Sequence, residues 1–203
     1  MKRIHVVSGC IITLFVLVHL TNHATRVIGS DKHLHLMSLL RHFYRHPIAE
    51  SILLAAVSFQ IFTGLQLFKA TRSNNAATVD TLHRWTGLYL AFFLVIHVSA
   101  VLAGRLLLKL DTNFYFGVAG LNSFPINLFF IPYYAFAILS FFGHLACIHA
   151  KKMKRNLVGL TPIMQAKAIG LVGLVVVLIL FYGLTNRFQG VALPDEYKVL
   201  IGK

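Results

Sequence analysis

Five long apolar stretches divide this chain: Val6 to Ala24, Ser51 to Phe68, Trp85 to Gly104, Ile126 to Ala150 and Ala168 to Leu184. A helix needs ~20 mostly apolar residues to cross the hydrocarbon core of a bilayer, so each stretch predicts a transmembrane helix. In lipid every backbone polar group must be satisfied within the protein, and a helix does this inside its own segment. The expected fold is all-α: a polytopic membrane protein with five transmembrane helices forming one bundle over residues 1–203. Little chain remains for a separate soluble domain.

The connections carry patterns of their own. Thr21 to Pro47 is long and rich in histidine, and Leu36, Met37, Leu39, Leu40, Phe43 and Tyr44 predict an amphipathic helix lying at the interface. His42 and His46 are four apart, which suits a metal, but no carboxylate or cysteine accompanies them and wet faces of the interfacial helix are the plainer reading. Asn113-Phe114-Tyr115-Phe116, Phe124-Pro125, Phe129, Phe130, Tyr133 and Tyr134 predict an aromatic belt. The fifth span has no histidine or charge in its apolar part, and Gly170 and Gly173 predict close packing on a neighbour. The tail from Thr185 is polar, with Pro194-Asp195-Glu196, and suggests no chemistry.

Composition agrees with a bilayer as the solvent: 57% of residues are apolar and 12% charged. A net charge of +13 raises a nucleic-acid partner, but Lys and Arg lie almost wholly in the connections and at helix ends, where membrane proteins carry them, and no nucleic acid is expected. Met1-Lys2-Arg3 before an apolar run mimics a signal peptide, yet no small-x-small site follows Leu20 and the segment reads as the first helix. Cys10 and Cys147 sit inside apolar runs as small hydrophobes, with no disulfide framework or zinc motif. If the N-terminus is cytoplasmic, the inner side receives Lys2, Arg3, Lys69, Arg72, Arg84, Lys151, Lys152, Lys154, Arg155 and Lys167 with only Asp80 acidic. The dense run from Lys151 to Arg155 makes that orientation the better choice.

Within the spans lies a repeat. His5-Val-Val-Ser8-Gly9 leads to His19, and His83-Arg84-Trp85-Thr86-Gly87 leads to His97. In each, the second histidine is fourteen residues after the first, about four helical turns or ~21 Å of rise. The first and third helices run the same way, so equivalent histidines lie at equivalent depth. Ionisable residues at membrane depth are costly, which makes His19, His97 and His144 functional candidates. A hydrogen bond to a neighbouring helix would also satisfy one lone histidine. Two at matched depth on parallel helices suit the axial ligands of a haem iron, and His19 and His97 are the expected pair. Arg26 and Arg105, seven and eight residues further on, suit haem propionates or ordinary snorkelling. His5 and His83 sit at the membrane edge, where a headgroup or quinone contact is more natural than a second haem.

These residues resemble a known family: the single-chain, five-helix cytochrome b anchor of succinate:quinone oxidoreductases and fumarate reductases. The likeness is carried by Gly9 to His19-Leu20-Thr21-Asn22-His23-Ala24-Thr25-Arg26, by Phe59-Gln60-Ile61-Phe62-Thr63-Gly64, by Arg84-Trp85-Thr86-Gly87 to His97, and by His144. It covers roughly the first 150 residues. The resemblance implies a distal haem b on the first and third helices, with His19 and His97 in the ligand positions, and a proximal haem on the second and fourth, with His144 in one. The other proximal position reads Gln60, a poor ligand, so one haem is expected and a second is open. His83 is a possible partner for His144, or His144 simply hydrogen-bonds Gln60. The resemblance also implies quinone contacts for Arg84 and Thr86, like the family's Arg-x-Ser-Gly-type segment, with Ser8 as the equivalent hydroxyl. Glu50 resembles an acidic residue near the outer end of the second helix in menaquinol-linked members, though helix-start chemistry is the plainer reading of it.

The function expected is an electron-carrying subunit, with no catalytic residues of its own assigned. It has no dinucleotide fingerprint, no cysteine cluster and almost no extramembrane mass. It would depend on flavoprotein and iron-sulfur partners by family analogy, with quinone and membrane lipid around it, in a bacterial inner membrane. The alternatives are a haem b quinone reductase subunit serving a different respiratory dehydrogenase, and a haem-free anchor or assembly module whose histidines serve only packing.

Overall fold

The computed structural model describes residues 1–70 and 78–202. Arg72, counted above among the inner charges, lies outside the described residues. The chain is all-α: α1 (Lys2–Ala24), α2 (Ser30–Tyr44), α3 (Pro47–Ala70), α4 (Thr78–Leu106), α5 (Phe114–Val118), α6 (Asn127–Lys152) and α7 (Pro162–Leu184), with 3-10 turns at Thr25–Val27 and Asp195–Ile201. Five of these, α1, α3, α4, α6 and α7, are long and apolar enough to cross a membrane. Their outward faces expose Leu14, Phe62, Phe92, Phe136 and Leu171, a surface too apolar to stand in water. The helices suggest an integral, polytopic membrane protein.

Each helix runs beyond the apolar stretch that predicts it. The added turns are polar: α4 begins at Thr78 with Asp80 in its first turn, and α6 ends in Lys151 and Lys152. The helix continues into the headgroup zone because nothing there breaks it, whereas α7 has a local start signal. Its Thr161 hydroxyl accepts from the Met164 amide at 3.4 Å and Pro162 opens the first turn.

The spans pack in a closed order: α1 on α3, α3 on α4, α4 on α6, α6 on α7, and α7 back on α1. Non-adjacent α1 and α4 therefore face each other, as do α3 and α6. Ile138, Phe141 and Phe142 of α6 pack with Leu180 of α7 and with Val16, Leu20 and Ala24 of α1. Close approach of α6 and α7 depends on Gly173, where an added Cβ would lie 2.6 Å from Phe142 Cβ. Gly170 faces open space instead and has no such role. Ile12, Ala56 and Val57, with Leu94 and Val98, join α1, α3 and α4.

Shorter elements cover one end of the bundle, the end that the N-inside orientation puts outside. Helix α2 forms within the connection where a helix is expected, but its faces differ from the expectation: His33 and Met37 are buried while Leu39, His42 and Phe43 are exposed. Arg41 and Arg45 both reach Asp111, Arg45 at 3.7 Å, and the hydrogen bond from Arg41 holds the Asp111 carboxyl below the usual carboxylate range. The aromatic belt divides. Phe124 and Phe129 face outward, whereas Phe114 and Tyr133 turn into the protein. The polar tail does more than its composition suggests. Tyr197 is 1% exposed and donates its hydroxyl to the Asp111 carbonyl at 3.0 Å, and burial pushes its phenol up to about 12.

Candidate functional site

Two polar levels cross the bundle. At the outer level His19 of α1 and His97 of α4 reach toward each other, ring centroids 6.4 Å apart and planes at 73°. Aromatic neighbours hold both rings: Phe15 stacks on His19 at 5.6 Å and Phe93 on His97 at 5.0 Å, while Tyr134 meets His97 edge-on. A metal–imidazole bond is about 2 Å and the ring centre lies about 1 Å beyond the nitrogen, so two imidazoles sharing one iron have centroids about 6 Å apart. The observed spacing matches. His23, one turn beyond His19, has its Nε2 at 3.2 Å from His19 Nε2, so one of the two rings donates its proton to the other. Among the described residues, no three His, Cys, Asp or Glu side chains converge as a metal-ion group. Two imidazoles are a donor pair of the kind that could serve a cofactor which supplies its own equatorial ligands, as a porphyrin does.

Above this pair is a group that the sequence reading passed over. His33 of α2 is 0% exposed. Its Nδ1 donates to the Asn22 carbonyl at 2.8 Å, since a carbonyl only accepts, which caps the end of α1 and leaves the lone pair on Nε2. That Nε2, His23 Nδ1, Asn22 Oδ1 and Arg26 Nε are all buried without a hydrogen-bond partner among the described residues. Arg26 lies with its guanidinium 5.0 Å from the Phe114 ring centre. Four unsatisfied polar atoms in one place are what a bound polar group or ordered water would satisfy. The signal for His33 was present: His33, Met37, Leu40 and Tyr44 share one helical face, and that face is apolar except for the imidazole.

The inner level is built twice. On one side Ser8 donates to Gln60 Oε1 at 2.6 Å, Gln60 Nε2 lies 3.3 Å from His5 Nε2, and His5 Nδ1 meets Thr63 Oγ1 at 2.9 Å. On the other, Thr86 Oγ1 lies 3.3 Å from His144 Nδ1, and His144 stacks on His83 at 4.2 Å with planes 22° apart. Asp80 pairs with Lys151 at 2.7 Å, and Lys151 donates to His83 Nδ1 at 3.1 Å. An ammonium has no acceptor, so the His83 proton sits on Nε2, which is buried without a partner among the described residues. Arg84 points elsewhere, its guanidinium 4.8 Å from the Phe68 ring centre beside the exposed Trp85.

The candidate residues therefore sort by level. His19, His97 and Arg26 gather at the outer level; Ser8, Thr86, His83 and His144 gather at the inner one. Glu50 and Arg105 form an ion pair joining the outer ends of α3 and α4, so each is the other's counter-ion, and Glu50 is at the opposite end of the bundle from Arg84. No family model, no curated protein and no solved structure matches this chain.

Proposed function

We propose that this chain is a membrane-anchor cytochrome b subunit, carrying electrons between a peripheral oxidoreductase of the succinate dehydrogenase or fumarate reductase type and membrane quinone. The observation that carries the reading is the His19–His97 pair, two imidazoles from parallel helices separated by the span of one shared iron. Bound there, haem b supplies one-electron transfer. His19 and His97 are the residues that would hold it, with Phe15 and Phe93 fixing their ring orientations through stacking. Arg26 offers its unpartnered Nε–H to the negative end of a propionate, and the apolar packing of Ile12, Val16, Leu94 and Val98 keeps water from the site.

Quinone is the substrate of this reading. A quinone carbonyl gains negative charge on reduction and needs donors; Thr86 and Ser8 carry hydroxyls at the inner level, each hydrogen-bonded within the bundle, and Arg84 would join them as the cation only by turning from the Phe68 ring. The basic run from Lys151 to Arg155 supports a cytoplasmic N-terminus in a bacterial inner membrane, with the flavoprotein and iron-sulfur partners on the inner side. The departure at Gln60 favours a second reading, a haem b quinone reductase serving a different dehydrogenase.

The test is the spectrum of the purified chain. Wild type should show a low-spin b-type spectrum, and His97→Ala should abolish it while the bundle still inserts. A bis-imidazole spectrum retained in that variant would reject the assignment.

A further inference from the structure

The two halves of the inner level have a common plan. His5, Ser8, Gly9 and His19 each recur seventy-eight positions later as His83, Thr86, Gly87 and His97. The structure adds the partners. A hydroxyl (Ser8), a glycine (Gly9) and an imidazole (His5) surround Gln60 on α3; a hydroxyl (Thr86), a glycine (Gly87) and an imidazole (His83) surround His144 on α6. A Cβ on Gly9 would lie 3.4 Å from Gln60 Nε2, and one on Gly87 would lie 3.1 Å from His144 Cε1. Each glycine makes room for the long polar side chain opposite. Helices α1 with α3, and α4 with α6, are thus two copies of one unit, and Gln60 and His144 are equivalent positions within it.

We infer that the inner level is a second porphyrin-ligating level in plan, closed in this chain by the single residue Gln60. The inference rests on the haem reading of the outer level. There the repeat-related residues are both histidines, on the facing helices α1 and α4, and they approach to the spacing of a shared iron. At the inner level the repeat-related residues are on the facing helices α3 and α6, but only one is an imidazole. A carboxamide nitrogen has no free lone pair, and its oxygen is a weak neutral donor beside an imidazole. Gln60 is also committed, its oxygen to Ser8 and its nitrogen toward His5. Nor does His83 replace it. The His83 and His144 rings stack at 4.2 Å, presenting faces to each other, where a shared iron needs in-plane nitrogens and centroids about 6 Å apart. The wild-type chain therefore holds one haem, and Gln60→His supplies the missing ligand against a glycine that already clears its place.

The experiment is haem per chain, by pyridine haemochrome against quantitative amino-acid analysis, on full-length protein expressed with ample porphyrin. Wild type and His144→Ala should each give one haem, Gln60→His should give two, and Gln60→His with His144→Ala should return to one. Two haems in wild type, or loss of haem in His144→Ala, overturns the inference and leaves the proposed function standing. One haem in Gln60→His, with the outer b-type spectrum intact to show that it is folded, overturns it as well. If that variant fails to accumulate, Gln60→Met asks the same question with a thioether, and a second, His/Met-ligated haem is the expected result. A colourless wild type overturns the proposed function together with this inference.

Discussion

Removing either partner of the Glu50–Arg105 pair should loosen the outer junction of α3 and α4, and the size of the effect follows from the pair's surroundings. Both side chains are 26% exposed. An exposed pair contributes ~0.2–1 kcal/mol, and breaking a buried one costs ~3–5 kcal/mol because a charge is left without compensation. A pair three-quarters covered at a membrane edge falls between, so Arg105→Met should cost about 2 kcal/mol. Glu50→Gln should cost about 1 kcal/mol, since an amide oxygen still accepts from the guanidinium. The assay is a double-mutant cycle by unfolding in mixed micelles. Coupling between the two sites of about 1 kcal/mol is expected; strictly additive losses would show that the contact carries no energy. The same variants bear on function. As structural partners they should lower quinone turnover in proportion to their stability. If Glu50→Gln lowers turnover far more than the more destabilised Arg105→Met, the carboxylate has a chemical role beyond holding the helices.

Other consequences are open to measurement. Burial lowers the His33 pKa from its ordinary 6.5, so the unfolded chain takes up this proton at higher pH than the folded one. The contribution is present above about pH 6.5 and is lost as pH falls through that value toward the folded pKa. Protection factors of the α2 amides, with each rate referred to its intrinsic exchange rate at that pH, should fall between about pH 8 and pH 5 in wild type and lose that dependence in His33→Phe; identical profiles would remove His33 as the cause. Gly173→Leu should destabilise by ~1–3 kcal/mol through overpacking against Phe142, whereas Gly170→Leu, facing open space, should melt like wild type. Arg84→Ala should impair quinone turnover and leave haem content intact; full turnover would dismiss its role at the quinone.

The spans were legible because their signal is additive: roughly twenty apolar residues in a row need no partner to be recognised. Their ends were not, since Thr78 to Arg84 or Lys151-Lys152 can lie in a helix or a loop with equal local logic, and the interfacial zone accepts both. The Glu50–Arg105 pair and the docking of Tyr197 on Asp111 were also out of reach. Each joins residues whose separation in sequence follows no period, and each depends on tertiary approach alone. His33 is different. Its helical face was readable, but the surrounding wealth of histidine made one more imidazole look like solvent-facing polarity.

The repeat shows most clearly where sequence reasoning stops. Helical rise converts spacing into depth, so equal spacing in two parallel spans was enough to align His19 with His97 and Ser8 with Thr86. Gln60 and His144 lie on the return helices, eighty-four rather than seventy-eight positions apart, because the connections before them differ in length. That offset hides their equivalence from any comparison at a fixed period. The family resemblance pairs the two positions, and the structure adds an independent reason, the same hydroxyl, glycine and imidazole around each, which makes position 60 the residue on which the number of haems should turn.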